Sequence, residues 1–202
     1  PAMFTTFLFI DKLSAARLVR WFGAALTVLV LGESWLSASS TLVRPSMTFV
    51  AFYYDESREE FVRGNLRDAQ RGFRGVIRLD PSFAPAHRDL GMIALGRGDF
   101  DAAIAALSEA ARLQPDWADV QNSLGSALIQ AGRPREAVPV LRRATQLDPD
   151  FAVAWYNLGG AHVLLGEVDD AEAIRVRLHT LSPEHARQLG TLIHPAPATP
   201  AP

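Results

Sequence analysis

The side chains that could support acid–base or metal chemistry are few. Histidines stand at positions 87, 162, 179, 185 and 194, and carboxylates pair at Asp99 with Asp101 and at Asp169 with Asp170. His179, His185 and His194 lie six and nine residues apart, a spacing that matches no metal-ligand motif. His87 and His162 fall on apolar helical stripes and are expected to pack rather than to ligate. Each aspartate pair stands at a turn that opens a helix, where acids favour the positive end of the helix dipole. Capping is their expected work. The chain has no cysteine, which excludes disulfides, zinc–thiolate sites, iron–sulfur clusters and a cysteine nucleophile. Phosphate-loop, dinucleotide and nucleophile-elbow patterns are absent, and GRGDF from Gly96 reads as a helix–helix turn. The residues therefore point to no enzyme, no cofactor and no metal.

The elements that hold these residues follow from a repeat. In 202 residues, Leu90-Gly91, Leu124-Gly125 and Leu158-Gly159 recur at intervals of 34. Gly64, Gly98, Gly132 and Gly166 keep the same interval, as do Ala69, Ala103, Ala137 and Ala171. Leu79, Leu113, Leu147 and Leu181 follow, and Pro81, Pro115, Pro149 and Pro183 close each unit. Each unit reads as two helices. Val120, Leu124, Ala127, Leu128 and Ala131 make one stripe, and Ala137, Val140, Leu141, Ala144 and Leu147 make the next. Gly132 is placed to end the first helix in a left-handed conformation, and Pro134 to open the second. Gly91, Gly125 and Gly159 fall mid-helix, where glycine costs about 1 kcal/mol against alanine. Close approach of a neighbouring helix would account for them. Phe83, Trp117 and Phe151 are expected in the seams between units.

At these residues the chain resembles the tetratricopeptide repeat family. The resemblance implies an all-α fold, a right-handed α-solenoid of stacked antiparallel helix pairs. The units are 50–83 (degenerate, without Leu-Gly), 84–117, 118–151 and 152–185, followed by a capping helix over 186–193 and a proline- and alanine-rich tail over 194–202. Arg175 and His185 break the pattern in the last full unit, where earlier units carry leucine or an aromatic. Residues 186–193 are expected to cover Leu178 and Leu181.

The resemblance also implies a concave groove lined by first helices that binds a partner polypeptide. Its residues here would be Arg88, Asp89, Met92 and Leu95; then Asn122, Ser123, Ser126 and Ile129; then Tyr156, Asn157, Gly160 and Val163. The amides of Asn122 and Asn157 suit the main chain of an extended peptide, because each offers donor and acceptor. A carboxylate clamp is not expected, since Arg88 is the one basic residue of the set.

Residues 1–48 stand apart as a basic and apolar segment with a linker. WFGAALTVLVLG runs from Trp21 to Gly32 without a charge, behind Lys12, Arg17 and Arg20. Trp21, Leu26, Val28, Leu29, Leu31 and Trp35 would form a membrane-targeting helix, with the tryptophans near its two boundaries. The expected arrangement is membrane-anchored or exported, with the repeats outside the cytoplasm; a helix packed in a cytoplasmic protein is the alternative. The net charge of −2 argues against a bare electrostatic nucleic-acid binder. The reading is a non-enzymatic scaffold that holds a protein partner, in the setting of a membrane or envelope complex. Self-assembly into a homo-oligomer and a regulatory fragment of a larger enzyme stay open as alternatives.

Overall fold

In a computed structural model, residues 47–195 are described. They form nine α-helices and no strand. The helices are α1 (Met47–Val62), α2 (Leu66–Leu79), α3 (Ala84–Gly96), α4 (Phe100–Leu113), α5 (Ala118–Gln130), α6 (Pro134–Leu147), α7 (Ala152–Leu165), α8 (Val168–Leu181) and α9 (Pro183–Ile193). The proposed membrane segment, with Trp21, Leu26, Val28, Leu29, Leu31 and Trp35, lies outside the described residues, as does most of the proline–alanine tail. No helix among the described residues is long and apolar enough to cross a membrane.

The punctuation works as the sequence implies. Gly64, Gly98, Gly132 and Gly166 all have positive φ, between 72° and 81°, so the chain reverses where a β-carbon would be strained. The Asp99 carboxylate accepts from the Ala102 backbone N–H at 3.1 Å and caps α4. Asp169 and Asp170 occupy the first turn of α8. Pro134 opens α6.

Each first helix packs on the second helix of its own unit, and α3, α5 and α7 pack also on the second helix of the unit before. First helices also touch one another, α3 with α5 and α5 with α7, whereas second helices of successive units make no comparable contact. A stack that is tighter on one side must curve toward it. The first helices therefore line the concave side, and α2, α4, α6 and α8 form the convex side.

The small residues sit where helices meet. A β-carbon on Gly91 would lie 2.6 Å from Leu107 Cγ, and one on Gly125 would overlap Leu141 in the same way. The degenerate first unit solves this contact differently. Ser57 takes the glycine's place, is buried, donates from Oγ to the Tyr53 carbonyl at 2.7 Å, and lies against Gly72. In the last unit Arg175 stands where Leu107 and Leu141 stood. The space beside Gly159 is filled instead by Leu189, reaching in from α9, and Leu189 is fully buried. The terminal helix is thus a plug for the hole that the Leu-to-Arg change would leave, and it covers Leu178, which is also fully buried.

Candidate functional site

The twelve inner-face residues fall into rows, one residue from each unit at the 34-residue interval. The row of Tyr54, Arg88, Asn122 and Tyr156 faces the next row, of Asp55, Asp89, Ser123 and Asn157, across each unit boundary. Two of these crossings are hydrogen-bonded at the same register. Tyr54 Oη donates to Asp89 Oδ2 at 2.9 Å, and Asn157 Nδ2 donates to Asn122 Oδ1 at 2.8 Å. Much of the polarity read as partner-facing therefore cross-links the repeats.

Asp89 is the extreme case, 1% exposed. Its Oδ1 accepts from Arg88 Nε at 2.9 Å and Nη2 at 2.6 Å, and Arg58 Nε stands 4.0 Å from Oδ2. Arg88 is committed as well. It reaches Asp119 Oδ2 at 3.5 Å, and its guanidinium carbon lies 5.1 Å from the centre of the Trp117 ring. Burial works against the Arg88 charge, but the hydrogen bonds and negative charge of Asp89 prevail and hold the guanidinium protonated more firmly than usual. The Tyr54 hydroxyl is pushed up to about 12, first by burial and then by the Asp89 carboxylate it donates to. Arg88 and Asp89, expected as contacts for a partner, serve as the buried joint between the first two units.

The remaining expectations divide by accessibility. Ser123 and Asn122 are buried at 8% and 9% exposure. Tyr156 and Val163 are half-buried against the core, and the Tyr156 ring lies 5.3 Å from that of His185. Leu95 and Ile129 pack in the same way. One row stays open: Arg58, Met92, Ser126 and Gly160. Met92 is 38% exposed, Ser126 is half-buried, and a β-carbon at Gly160 would meet nothing within 4 Å. Asn122 Nδ2 and Asn157 Oδ1 also keep hydrogen-bonding capacity. Among the described residues neither has a partner, and no side-chain polar atom is both unpaired and sealed from solvent.

A second periodic device was not foreseen. His87 Nε2, Gln121 Nε2 and Trp155 Nε1, at one register, each donate to the carbonyl of the proline that ends the preceding unit: Pro81 at 3.0 Å, Pro115 at 3.2 Å and Pro149 at 2.9 Å. Three dissimilar residues do one job because each offers an N–H at the same reach. His87 is thus a half-exposed clamp and not a packed core residue. His162 is buried as expected, and it has two acidic neighbours. Its Nδ1 lies 2.6 Å from Glu167 Oε2 and 4.0 Å from Asp170 Oδ2, and the three ligand-type atoms lie within 4.8 Å of one another. Both carboxylates are exposed, and the contact ties the end of α7 to the start of α8. The other histidines bond singly: His185 to Ser182, His194 to Glu172 and His179 to Arg175.

The 34-residue helix pairs stacked through glycine–leucine contacts define the class. Tetratricopeptide repeat models match residues 54–117 and 128–187, and the chain carries tetratricopeptide repeats. Among solved structures, a MamA protein is similar at 26% identity and a TM-score of 0.67, over 72% of this chain and 80% of that one. YrrB, described as a repeat protein of this kind with an unusual peptide-binding site, is similar at 22% identity and a TM-score of 0.65, over 70% of this chain and 74% of that one. An O-GlcNAc transferase mutant from Thermobaculum terrenum shares the fold at 22% identity and a TM-score of 0.60, over 73% of this chain but only 27% of its own length. No curated protein matches the chain.

Proposed function

We propose that this protein is a non-enzymatic scaffold that holds an extended segment of a partner polypeptide along the inner face of the repeats. The observation that carries this reading is the open row Arg58, Met92, Ser126 and Gly160. It changes from cation to thioether to hydroxyl to bare backbone; Arg58 also stands near Asp89, whereas Met92, Ser126 and Gly160 fill no packing role that the repeats require. Beside it run the spare amide groups of Asn122 and Asn157, which offer a donor and an acceptor to a peptide main chain. Arg88, the basic residue once expected to face a ligand, is spent on Asp89, so recognition rests on amide pairing and apolar contact. Anchoring at a membrane by residues 21–36 belongs to the same proposal and rests on hydropathy alone.

The test is selection of a random peptide-display library on the full chain, followed by affinity measurement with the triple variant Met92→Glu, Ser126→Glu, Gly160→Leu. Loss of most affinity with an unchanged helical spectrum supports the groove. Equal affinity removes it. A second reading, self-association, is favoured by an exposed aromatic cluster on α1. Phe52 and Tyr53 are 41% and 36% exposed, with Phe49 4.7 Å from Tyr53 between ring centres. Sedimentation of the chain with and without Phe52→Ser and Tyr53→Ser decides it.

A further inference from the structure

The groove leaves unused a strongly charged face of the molecule. Helix α2 reads LRDAQRGFRGVIRL, with arginines at 67, 71, 74 and 78 against one acid, Asp68. At about 100° per residue these four fall within about 60° of one another, opposite the buried Ala69, Phe73 and Val76. They make a single file about 16 Å long, at about 1.5 Å rise per residue, along the centre of the solvent face. All four are exposed. Arg71 pairs with Asp68, whereas Arg67, Arg74 and Arg78 form no ion pair or hydrogen bond among the described residues.

Folding does not call for this file. Like charges three or four residues apart on a helix repel, each pair costing a few tenths of a kcal/mol. The other second helices avoid it: the same four positions hold one arginine on α4 (Arg112), two on α6 (Arg135 and Arg142) and none on α8. The file is also one residue wide, flanked on α2 by Asp68, Gln70 and Gly75. A bilayer or a nucleic-acid duplex presents charge in breadth and rewards a broad basic surface. A single file suits a linear anion, and planar guanidinium groups engage carboxylates two bonds at a time.

We propose that the α2 arginine file is a second docking surface, on the convex side, for an acidic polypeptide helix whose carboxylates follow the spacing i, i+4, i+7, i+11. The probe is a labelled 20-residue helical peptide with glutamates at that spacing, compared with a scrambled peptide of equal composition, by fluorescence anisotropy on the full chain. Arg67→Gln, Arg74→Gln and Arg78→Gln together should weaken the patterned peptide about tenfold, as expected for three exposed charge pairs. Met92→Glu, in the groove, should leave this binding unchanged. Reversal to glutamate at 67, 74 and 78 should transfer binding to a lysine-patterned peptide, which a misfolded variant could not do. The proposal is overturned if the triple glutamine variant binds equally or if the scrambled peptide binds as well as the patterned one. It is also overturned if phosphatidylserine vesicles are retained through these arginines while the peptide is not.

Discussion

Replacing Leu189 by alanine tests whether the last helix is a plug. Leu189 is fully exposure-free in the fold and rests on Gly159 and beside Ile174, in the space that Leu107 and Leu141 fill in earlier units. Truncating a buried leucine costs about 2–5 kcal/mol, according to how far the site can collapse. Here the wall opposite is a glycine and cannot move in, so about 3 kcal/mol is expected, or roughly 6–12 °C in melting temperature for a domain of this size. The loss should also be local. A helix of 11 residues is marginal alone and depends on its packed face, so α9 should open and expose Leu178. Urea unfolding followed by circular dichroism gives the total, and amide exchange on α8 and α9 gives the place. The decisive partner change is Arg175→Leu, which restores the side chain of the earlier units. In the native background it must compete with Leu189 for one space and should not stabilise. In the Leu189→Ala background it should recover at least about 1 kcal/mol by refilling that space. An equal effect of Arg175→Leu in both backgrounds refutes the plug, as does a cost below about 1 kcal/mol for Leu189→Ala.

Three further outcomes follow from the same geometry. Gly91→Ala should destabilise by about 1 kcal/mol net, because overpacking against Leu107 outweighs the gain in helix propensity. Gly160→Ala, with open space around it, should stabilise by about 0.5–1 kcal/mol in the same melts; similar signs for the two would contradict the packing described. Asn122→Ala and Asn157→Ala share one hydrogen bond, so each should cost about 1 kcal/mol and the double variant little more than either; additive costs would show that the bond is not formed. Tyr54 has a folded pKa of about 12 against the ordinary 10, so its contribution to stability is complete below pH 10 and is lost as pH rises from there to 12. Asp89→Asn should lower the late phase of tyrosine ionisation seen at 295 nm toward 10 without abolishing the shift, since burial, its largest cause, remains.

The fold was legible because its signals are periodic. One residue type repeated at one interval, such as the glycines at 64, 98, 132 and 166, can be recognised without knowing any contact. The proline-carbonyl clamp was hidden for the opposite reason. His87, Gln121 and Trp155 share a donor and a reach but no residue class, and comparison by type cannot see them. The joint at Asp89 escaped a reading by composition: an aspartate on an inner face reads as solvated, and its hydrogen bond from Tyr54 and its charge balance by Arg88 and Arg58 draw on two residues of another unit. Leu189 was placed in the cap from its sequence, but the hole it fills becomes visible only when Arg175 and Gly159 are seen on facing helices.

The candidate site divides by the same logic. In a curved stack every inner-face polar residue has two uses open to it, to bond the neighbouring repeat or to face outward, and residue type does not choose between them. Position does. Tyr54 with Asp89 and Asn122 with Asn157 stand next to a unit boundary, where a side chain crosses to the adjoining first helix within hydrogen-bond reach. Met92, Ser126 and Gly160 lie one helical turn on, where no side chain of the adjoining repeat reaches Gly160. A partner held there as proposed would meet a wall already braced by hydrogen bonds between repeats, so little inner-face ordering would have to be supplied on binding, and affinity would be set by what fills the open row. Changes in the braced row should therefore move stability first, and changes at Met92 and Ser126 should move affinity first.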